Sequence, residues 1–400
     1  MSLEALLEVL VITTTVLFVG FYASYGACCY WYLRKRKTFA VDQIDDSDAP
    51  TISVIVPTYN EESVIEHRIE NFKSIEYPHD KLQIVIVDAS TDSTPEIIER
   101  MKDGSLDLTL IKQKERGSYN GAVTAGFWVS SGRIISITGA ETEFAPDSLR
   151  QMTKHFSKKD VGVVTGRMVT GNQQMVSGKL ERAYRDLYDF MRGAESAMDS
   201  CFDVKGELNA VRREIVAEIL KMREIAAGKG SVDTCFAFQS RMMGMKTVYE
   251  PQAIYRENAP ARLRESFQQT VRRGQVHIEA MSEYEEMFFN RNLGTFGLLI
   301  APAHLAMVVI LPLIFGLQTL SLASLLVIDP RNLLALTLIF LELSAIALSR
   351  HAQAFAKIQI CLIGAMARLV LGRKTYGSAH TRLASTRRVQ EDLIPNKVKE

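Results

Sequence analysis

Residues 52–62 read ISVIVPTYNEE and residues 81–101 read KLQIVIVDASTDSTPEIIERM. Each is an unbroken apolar, β-branched run that stops at a polar turn and passes into a segment suited to a helix. An apolar run without polar alternation marks a strand covered on both faces, as in parallel sheets wrapped by helices. The pattern continues outward. TLIKQK (109–114) and RIISITGA (133–140) supply two more strands, and AVTAGFWVSSG (122–132) reads as the helix between them. Strands alternating with helices predict a doubly wound α/β sheet, whose ligands bind beyond the carboxyl ends of its strands. The turns PTYNEE (57–62), DASTD (88–92) and TGAET (138–142) all fall at such ends and are expected to share one crevice.

Each turn has a chemical reading and a plain one. Tyr59 offers a ring to a nucleobase, and Asn60 or Glu61 can meet a ribose hydroxyl. Equally, Thr58 and Asn60 suit a helix start, with Glu61 and Glu62 matching the helix dipole. Asp88 ends the second strand and can accept from a base N–H, whereas Ser90, Thr91 and Asp92 read as caps of the next helix. In the third turn Gly139 stands where a metal site would place a first acid, and Glu141 is its only carboxylate.

Composition narrows the classes. The chain has 400 residues, 47% of them apolar, enough for a large core. A net charge of +1 excludes a nucleic-acid binder with a broad basic field. None of the five cysteines forms a CxxC pair, so neither a zinc site nor a disulfide framework is expected.

The apolar residues cluster at the two ends. From Val9 to Leu33 there is no charge, and Arg34, Lys35, Arg36 and Lys37 follow. This exceeds the roughly 20 residues that cross a bilayer. A signal peptide would carry its basic residues before the apolar run, so residues 1–50 read as a retained anchor with a basic linker. By the positive-inside rule the N-terminus lies outside and the domain at 51–291 is cytoplasmic. Residues 292–349 read as two spans, the first irregular around Pro302 and Pro312. In 350–400, Gln353, Lys357, Gly364 and Arg368 share one side at helical spacing. That predicts an interfacial amphipathic helix, followed by a basic tail containing RKTYGSAHTRLASTRR. Glu342, inside the second span, is a group that could pair with a neighbouring helix or with His304. The predicted location is a multi-pass membrane protein, in the cell membrane.

Taken together, VPTYNEE and IVIVDASTDSTPEII resemble the opening of the inverting family 2 glycosyltransferases, which have a GT-A fold. GAETEFAPDSL (139–149), LNAVRREIV (208–216), GSVDTCFAFQSRMMGMKTVYEP (230–251) and QTVRRG (269–274) extend the resemblance across roughly residues 51–275. It implies transfer of a sugar from a nucleotide diphosphate. Pro57, Thr58, Tyr59, Glu61 and Asp88 are then placed on the nucleotide, Asp233 as the catalytic base, and Arg272 and Arg273 on the diphosphate. Glu141 is the implied ligand of Mg2+ or Mn2+, both of which accept carboxylate oxygen.

The departures from the family pattern are Gly139 and Glu141 in the Asp-x-Asp place, Val232 before the base, Ser118 and Thr124 in RGSYNGAVTAG, and Arg273 in place of the tryptophan of Gln-x-x-Arg-Trp. The expected donor is a nucleotide-diphosphate sugar, UDP favoured over GDP. The expected acceptor is a lipid-linked or glycan group at the membrane face. A processive polysaccharide synthase and a silent subunit keeping the fold are the alternatives. GKLERAYRDLYDFMR (178–192) reads either as the wall of the acceptor entrance or as an amphipathic helix packed on the sheet.

Overall fold

The computed structural model describes residues 2–35, 44–172, 174–222, 231–260 and 262–372. Arg36, Lys37 and the basic tail from Arg373 onward lie outside the described residues. A 33-residue helix, α1 (Leu3–Lys35), leads into the expected alternation. It runs β1 (Ile52–Thr58), α2 (Ile65–Lys73), β2 (Leu82–Asp88), α3 (Thr94–Arg100), β3 (Asp107–Lys112), α4 (Tyr119–Val129) and β4 (Ile134–Ile137). The second half holds β5 (Glu143–Phe144), α5 (Ser148–Thr153), β6 (Val161–Thr170), α6 (Val176–Met198), β7 (Asn209–Arg212) and α7 (Arg213–Met222). Then come α8 (Phe236–Met242), β8 (Lys246–Glu257) and α9 (Leu263–Glu283). The chain continues in α10 (Phe296–Ile328), α11 (Leu333–Leu348) and α12 (Arg350–Val370).

The eight strands form one sheet in the order β3-β2-β1-β4-β7-β6-β8-β5. β1 pairs in parallel with β2 on one side and β4 on the other. The order therefore reverses at β1, and a crevice opens beyond its carboxyl end. Thr58 lies opposite Asp88 and Ile55 opposite Ile137, so the three polar turns leave the sheet side by side. Beyond β4 the sheet is mixed: β7 runs antiparallel to both β4 and β6, and β5 antiparallel to β8.

Strand alternation divides each parallel strand between two cores. Ile55, Val85 and Val87 face the core that holds Val123 and Phe127 of α4. Val54, Val56, Ile84 and Ile86 face the one that holds Ile65, Ile69 and Phe72 of α2. Each such fully buried side chain contributes about 1.5–3 kcal/mol, which makes both faces of β1 and β2 apolar by necessity. Helix α4 lies close because residue 126 is glycine: a Cβ there would sit 2.5 Å from Ile55 Cγ2.

Among the described residues, α1, α10 and α12 are long and apolar enough to cross a membrane. Residues 292–349, expected as two spans, contain α10 and the shorter apolar helix α11. α11 has 16 residues, or about 24 Å at 1.5 Å per residue, against a hydrocarbon core of roughly 30 Å. The irregularity expected around Pro302 and Pro312 takes the form of two π-helical stretches, Phe296–Ile300 and Ala306–Ile310, just before those prolines. A widened turn relieves the clash of each ring with the preceding turn. Inside the helices, Gln318 Nε2 donates to Glu342 Oε1 (3.1 Å) and to Thr15 Oγ1 (3.0 Å). His304 is engaged elsewhere, with Nε2 lying 2.6 Å from Glu195 Oε1.

Candidate active site

A cavity of about 1160 Å³ opens where the strand ends and the membrane helices meet. Pro57, Thr58, Tyr59, Glu61, Glu141, Asp233, Arg272 and Arg273 all line it. Residues far apart in sequence, on four separate segments, are thus brought to one place.

The first two turns are tied to each other. The Asn60 N–H donates to Ser90 Oγ (2.7 Å), the Thr91 N–H to Asn60 Oδ1 (2.8 Å) and the Glu61 N–H to Thr94 Oγ1 (2.8 Å). Asn60 has φ 55°, a left-handed conformation that asparagine tolerates. Its side-chain oxygen therefore helps to build the turn. Asp88, at the end of β2, is tied into the same turns. It is buried, and its carboxylate accepts from Thr58 Oγ1 (2.7 Å), Ser90 Oγ (2.6 Å) and the Ser90 N–H (3.1 Å). The cavity wall is formed by its neighbours Val87 and Ala89, while Asp88 joins the ends of β1 and β2. Tyr59 lies under the guanidinium of Arg116, 3.6 Å from the ring centroid, and both residues face the cavity.

Asp233 follows Ser231, whose hydroxyl donates to Asp233 Oδ1. Burial raises its carboxyl above the ordinary aspartate value; the Ser231 hydrogen bond opposes the shift and the nearby Glu207 adds to it. Space for the carboxylate comes from Gly206, where a methyl group would collide with Asp233 Oδ2.

The opposite wall is basic and aromatic. α6 supplies Glu181, Tyr184, Arg185 and Tyr188, so this helix both lines the cavity and packs on β6 and β8. Arg185 Nε donates to Glu181 Oε1 (2.8 Å). Arg273 Nη2 donates to Glu207 Oε1 (3.2 Å) and Nη1 lies 3.8 Å from Glu181 Oε1, so it is held by carboxylates within the cavity wall. Burial, with Arg185 and Arg192 close by, pushes Lys205 down to about 7, although Asp203 lies 3.5 Å away. His304 and Val308 of α10, and Ala354, Lys357 and Leu362 of α12, close the cavity on the membrane side. Lys357 Nζ donates to Ser266 Oγ of α9 (2.6 Å).

For a divalent cation the donors are all oxygen, the chemistry that Mg2+ and Mn2+ take. Glu141 lines the cavity, as expected, without a first acid at Gly139. Among the described residues no three His, Cys, Asp or Glu side chains converge into a ready cage. At the same corner Thr142 Oγ1 and Glu257 Oε2 are buried without a hydrogen-bond partner. Burial, with Glu207 and Glu141 adding to it, pushes Glu257 up to about 8. Sequence reasoning passed over Arg116, Arg185, Lys205, Glu207 and Glu257. For Glu257 a signal existed: it is an acid at the end of a strand, in RENAP, and strand ends carry sites in this fold.

Comparison with known proteins bears on the fold and the family. The model of "Glycosyl transferase family 2" matches residues 53–220. The beta-monoglucosyldiacylglycerol synthase of Nostoc sp. is 26% identical over 171 residues, covering 41% of this chain and 36% of that protein. The poly-beta-1,6-N-acetyl-D-glucosamine synthase of Staphylococcus aureus is 22% identical over 274 residues, covering 66% of this chain and 64% of that protein. The chain thus spans about a third of the length of the first and under two thirds of the second. A mannosyltransferase from Pyrobaculum calidifontis, solved in complex with GDP-Man and Mn2+, superposes with a TM-score of 0.78 at 27% identity. That likeness covers 92% of this chain and all of the other. The sheet, the crevice at its switch point and these matches together identify a family 2 glycosyltransferase domain of GT-A fold, carried on a chain with three helices apolar enough to cross a membrane.

Proposed function

We propose that this chain transfers a sugar, with inversion, from a nucleoside diphosphate sugar to a hydroxyl of a lipid-linked acceptor at the membrane surface. The observation that carries the reading is the single cavity: Asp233 shares it with the turns at the sheet's switch point and with side chains of α10 and α12. A donor entering at the strand ends and an acceptor entering along the membrane helices would meet at Asp233.

In this reading the acceptor oxygen attacks the anomeric carbon as the bond from that carbon to the diphosphate breaks. The acceptor proton passes to the Asp233 carboxylate. A carboxyl raised by burial is a stronger base than a solvated one, which suits a hydroxyl acceptor better than an ionised phosphate. Glu141 would hold a divalent cation, which when bound neutralises charge on the leaving diphosphate. Arg272 and Arg116 add fixed positive charge on the donor side, and Gly206 leaves room for the base. The relatives fit this division. One is named for a glycosylated diacylglycerol, and the mannosyltransferase holds GDP-Man and Mn2+. GDP-mannose therefore joins the UDP-sugars favoured by the sequence as a first donor to test, with the active side of the membrane expected to be the cytoplasmic one.

The test is nucleoside diphosphate release by the detergent-purified chain, supplied with UDP- and GDP-sugars, Mg2+ or Mn2+ and membrane lipid extract. Asp233→Asn is expected to lower turnover by about 10²–10⁴-fold, the usual worth of a general base, while nucleotide binding stays within about twofold. Full turnover in Asp233→Asn would place the base elsewhere. No release and no nucleotide binding with any donor would refute the transferase reading.

A further inference from the structure

The corner between β4 and β5 has lost one acid, yet the opposing strand brings another to it. β5 pairs antiparallel with β8, with Glu143 opposite Arg256 and Phe144 opposite Tyr255. One step further along this register sets Thr142 opposite Glu257, beside Glu141. All three residues line the cavity. Glu257 is 8% exposed and Thr142 2%, and neither Glu257 Oε2 nor Thr142 Oγ1 has a hydrogen-bond partner among the described residues. Buried polar oxygens are rarely left unpaired, because the loss of water goes uncompensated.

The other cavity acids are engaged. Glu207 is held by Arg273 and accepts from the Tyr255 hydroxyl (3.4 Å), Glu181 is held by Arg185, and Asp203 by Arg192 and Lys205. Glu257 thus keeps a buried carboxylate oxygen without a hydrogen-bond partner, next to the carboxylate of Glu141 and an unpaired hydroxyl. Such a set lacks only a hard cation.

We propose that Glu257, with Thr142 beside it, completes the divalent-cation site that Glu141 begins, so that the acid absent at Gly139 is supplied by the end of β8. This rests on the transferase reading, in which a cation sits at this corner. Two carboxylates and a hydroxyl leave coordination positions for diphosphate oxygens and water, the usual shell of Mg2+ or Mn2+. The site would then be assembled from two strands, and its order would depend on the β5–β8 pairing rather than on one turn.

The experiment reads Mn2+ binding directly, by electron paramagnetic resonance of free Mn2+, with the full chain in detergent and GDP or UDP present. Nucleotide binding is measured in parallel in EDTA. Glu257→Gln is expected to weaken Mn2+ binding by about tenfold or more and to leave metal-free nucleotide binding within about twofold. Glu257→Asp keeps the charge but withdraws the oxygen by one methylene, and should fall between Gln and the unaltered chain. It also serves if the Gln variant does not fold. Mn2+ affinity unchanged in both variants, in a chain that binds Mn2+ and nucleotide, would overturn this inference alone. An unaltered chain that binds neither would remove the transferase reading and this inference with it.

Discussion

Gly206→Ala is the sharpest test of the base. The backbone of Gly206 lies outside the left-handed region, so alanine is conformationally acceptable there. Its methyl carbon, however, would stand 3.1 Å from Asp233 Cγ and 3.7 Å from Asp233 Cβ, with Oδ2 in collision. Carbon atoms in good contact stand about 3.5–4.0 Å apart, so the carboxylate must swing away by an amount on the order of 1 Å. A two-torsion side chain can do that at about 0.5–1.5 kcal/mol, which the fold should absorb with a small change in melting temperature. The chemistry should respond far more, since a misplacement of about 1 Å can cost about 10²-fold, or roughly 2.7 kcal/mol on the barrier. Turnover in the release assay is therefore expected to fall about 10²-fold, with donor KM within about twofold because the nucleotide turns are untouched. Both substitutions act through one group, so Gly206→Ala added to Asp233→Asn should cost nothing further. Unaltered turnover in Gly206→Ala, or losses that simply multiply in the double variant, would refute the placement of Asp233 as base.

Two further outcomes follow from the same neighbourhood. Turnover needs Asp233 ionised, so kcat/KM should fall as pH drops through a value above the ordinary aspartate range. Ser231→Ala removes a donor that favours the charged form and should move this acid limb to higher pH; an unmoved limb would separate Asp233 from it. The stability sign is opposite to that of most acids: a raised folded-state value contributes stability below the unfolded value and loses it as pH rises through the folded one. At the membrane joint, the fully buried Glu195 accepts from the Tyr25 hydroxyl (2.9 Å) and the Phe202 N–H (3.1 Å) and lies against His304. Glu195→Ala leaves these groups unpaired and should destabilise the chain by about 3 kcal/mol or more. An unchanged melting temperature in detergent would show that water replaces the carboxylate there.

What the sequence revealed and what it hid have physical reasons. β1, β2 and the turns after them were legible because a strand buried on both faces leaves an unbroken apolar run, and a turn at its end must be polar. That Asp233 and Glu141 belong with the cavity was legible through the wording around them, since each sits in a short continuous segment. Glu257 escaped because its place beside Glu141 arises from the antiparallel β5–β8 pairing, and Arg185 on α6, with Lys205 and Glu207 before β7, because only tertiary packing brings them to the cavity. Asp88 was legible only in part: a carboxylate at a strand end looks the same in sequence whether or not it also accepts, as here, from Thr58 and Ser90.

Helix α12 shows the same ambiguity at larger scale. Its polar side, with Lys357, Gly364 and Arg368, was read as facing lipid headgroups. In the fold that side meets the catalytic domain: Lys357 bonds to Ser266 of α9, and Arg368 reaches the cavity. A Cβ on Gly364 would lie 3.5 Å from Val271 Cγ2, and one on Gly274 would lie 3.3 Å from Ala365 Cβ. Periodicity reports that one face of a helix is polar; it does not report what that face meets. Small residues are the better guide, because close backbone approach needs them and a headgroup layer does not. Gly274 on α9 and Gly364 and Ala365 on α12 are such a set, and they hold α12 against α9 as a wall of the cavity.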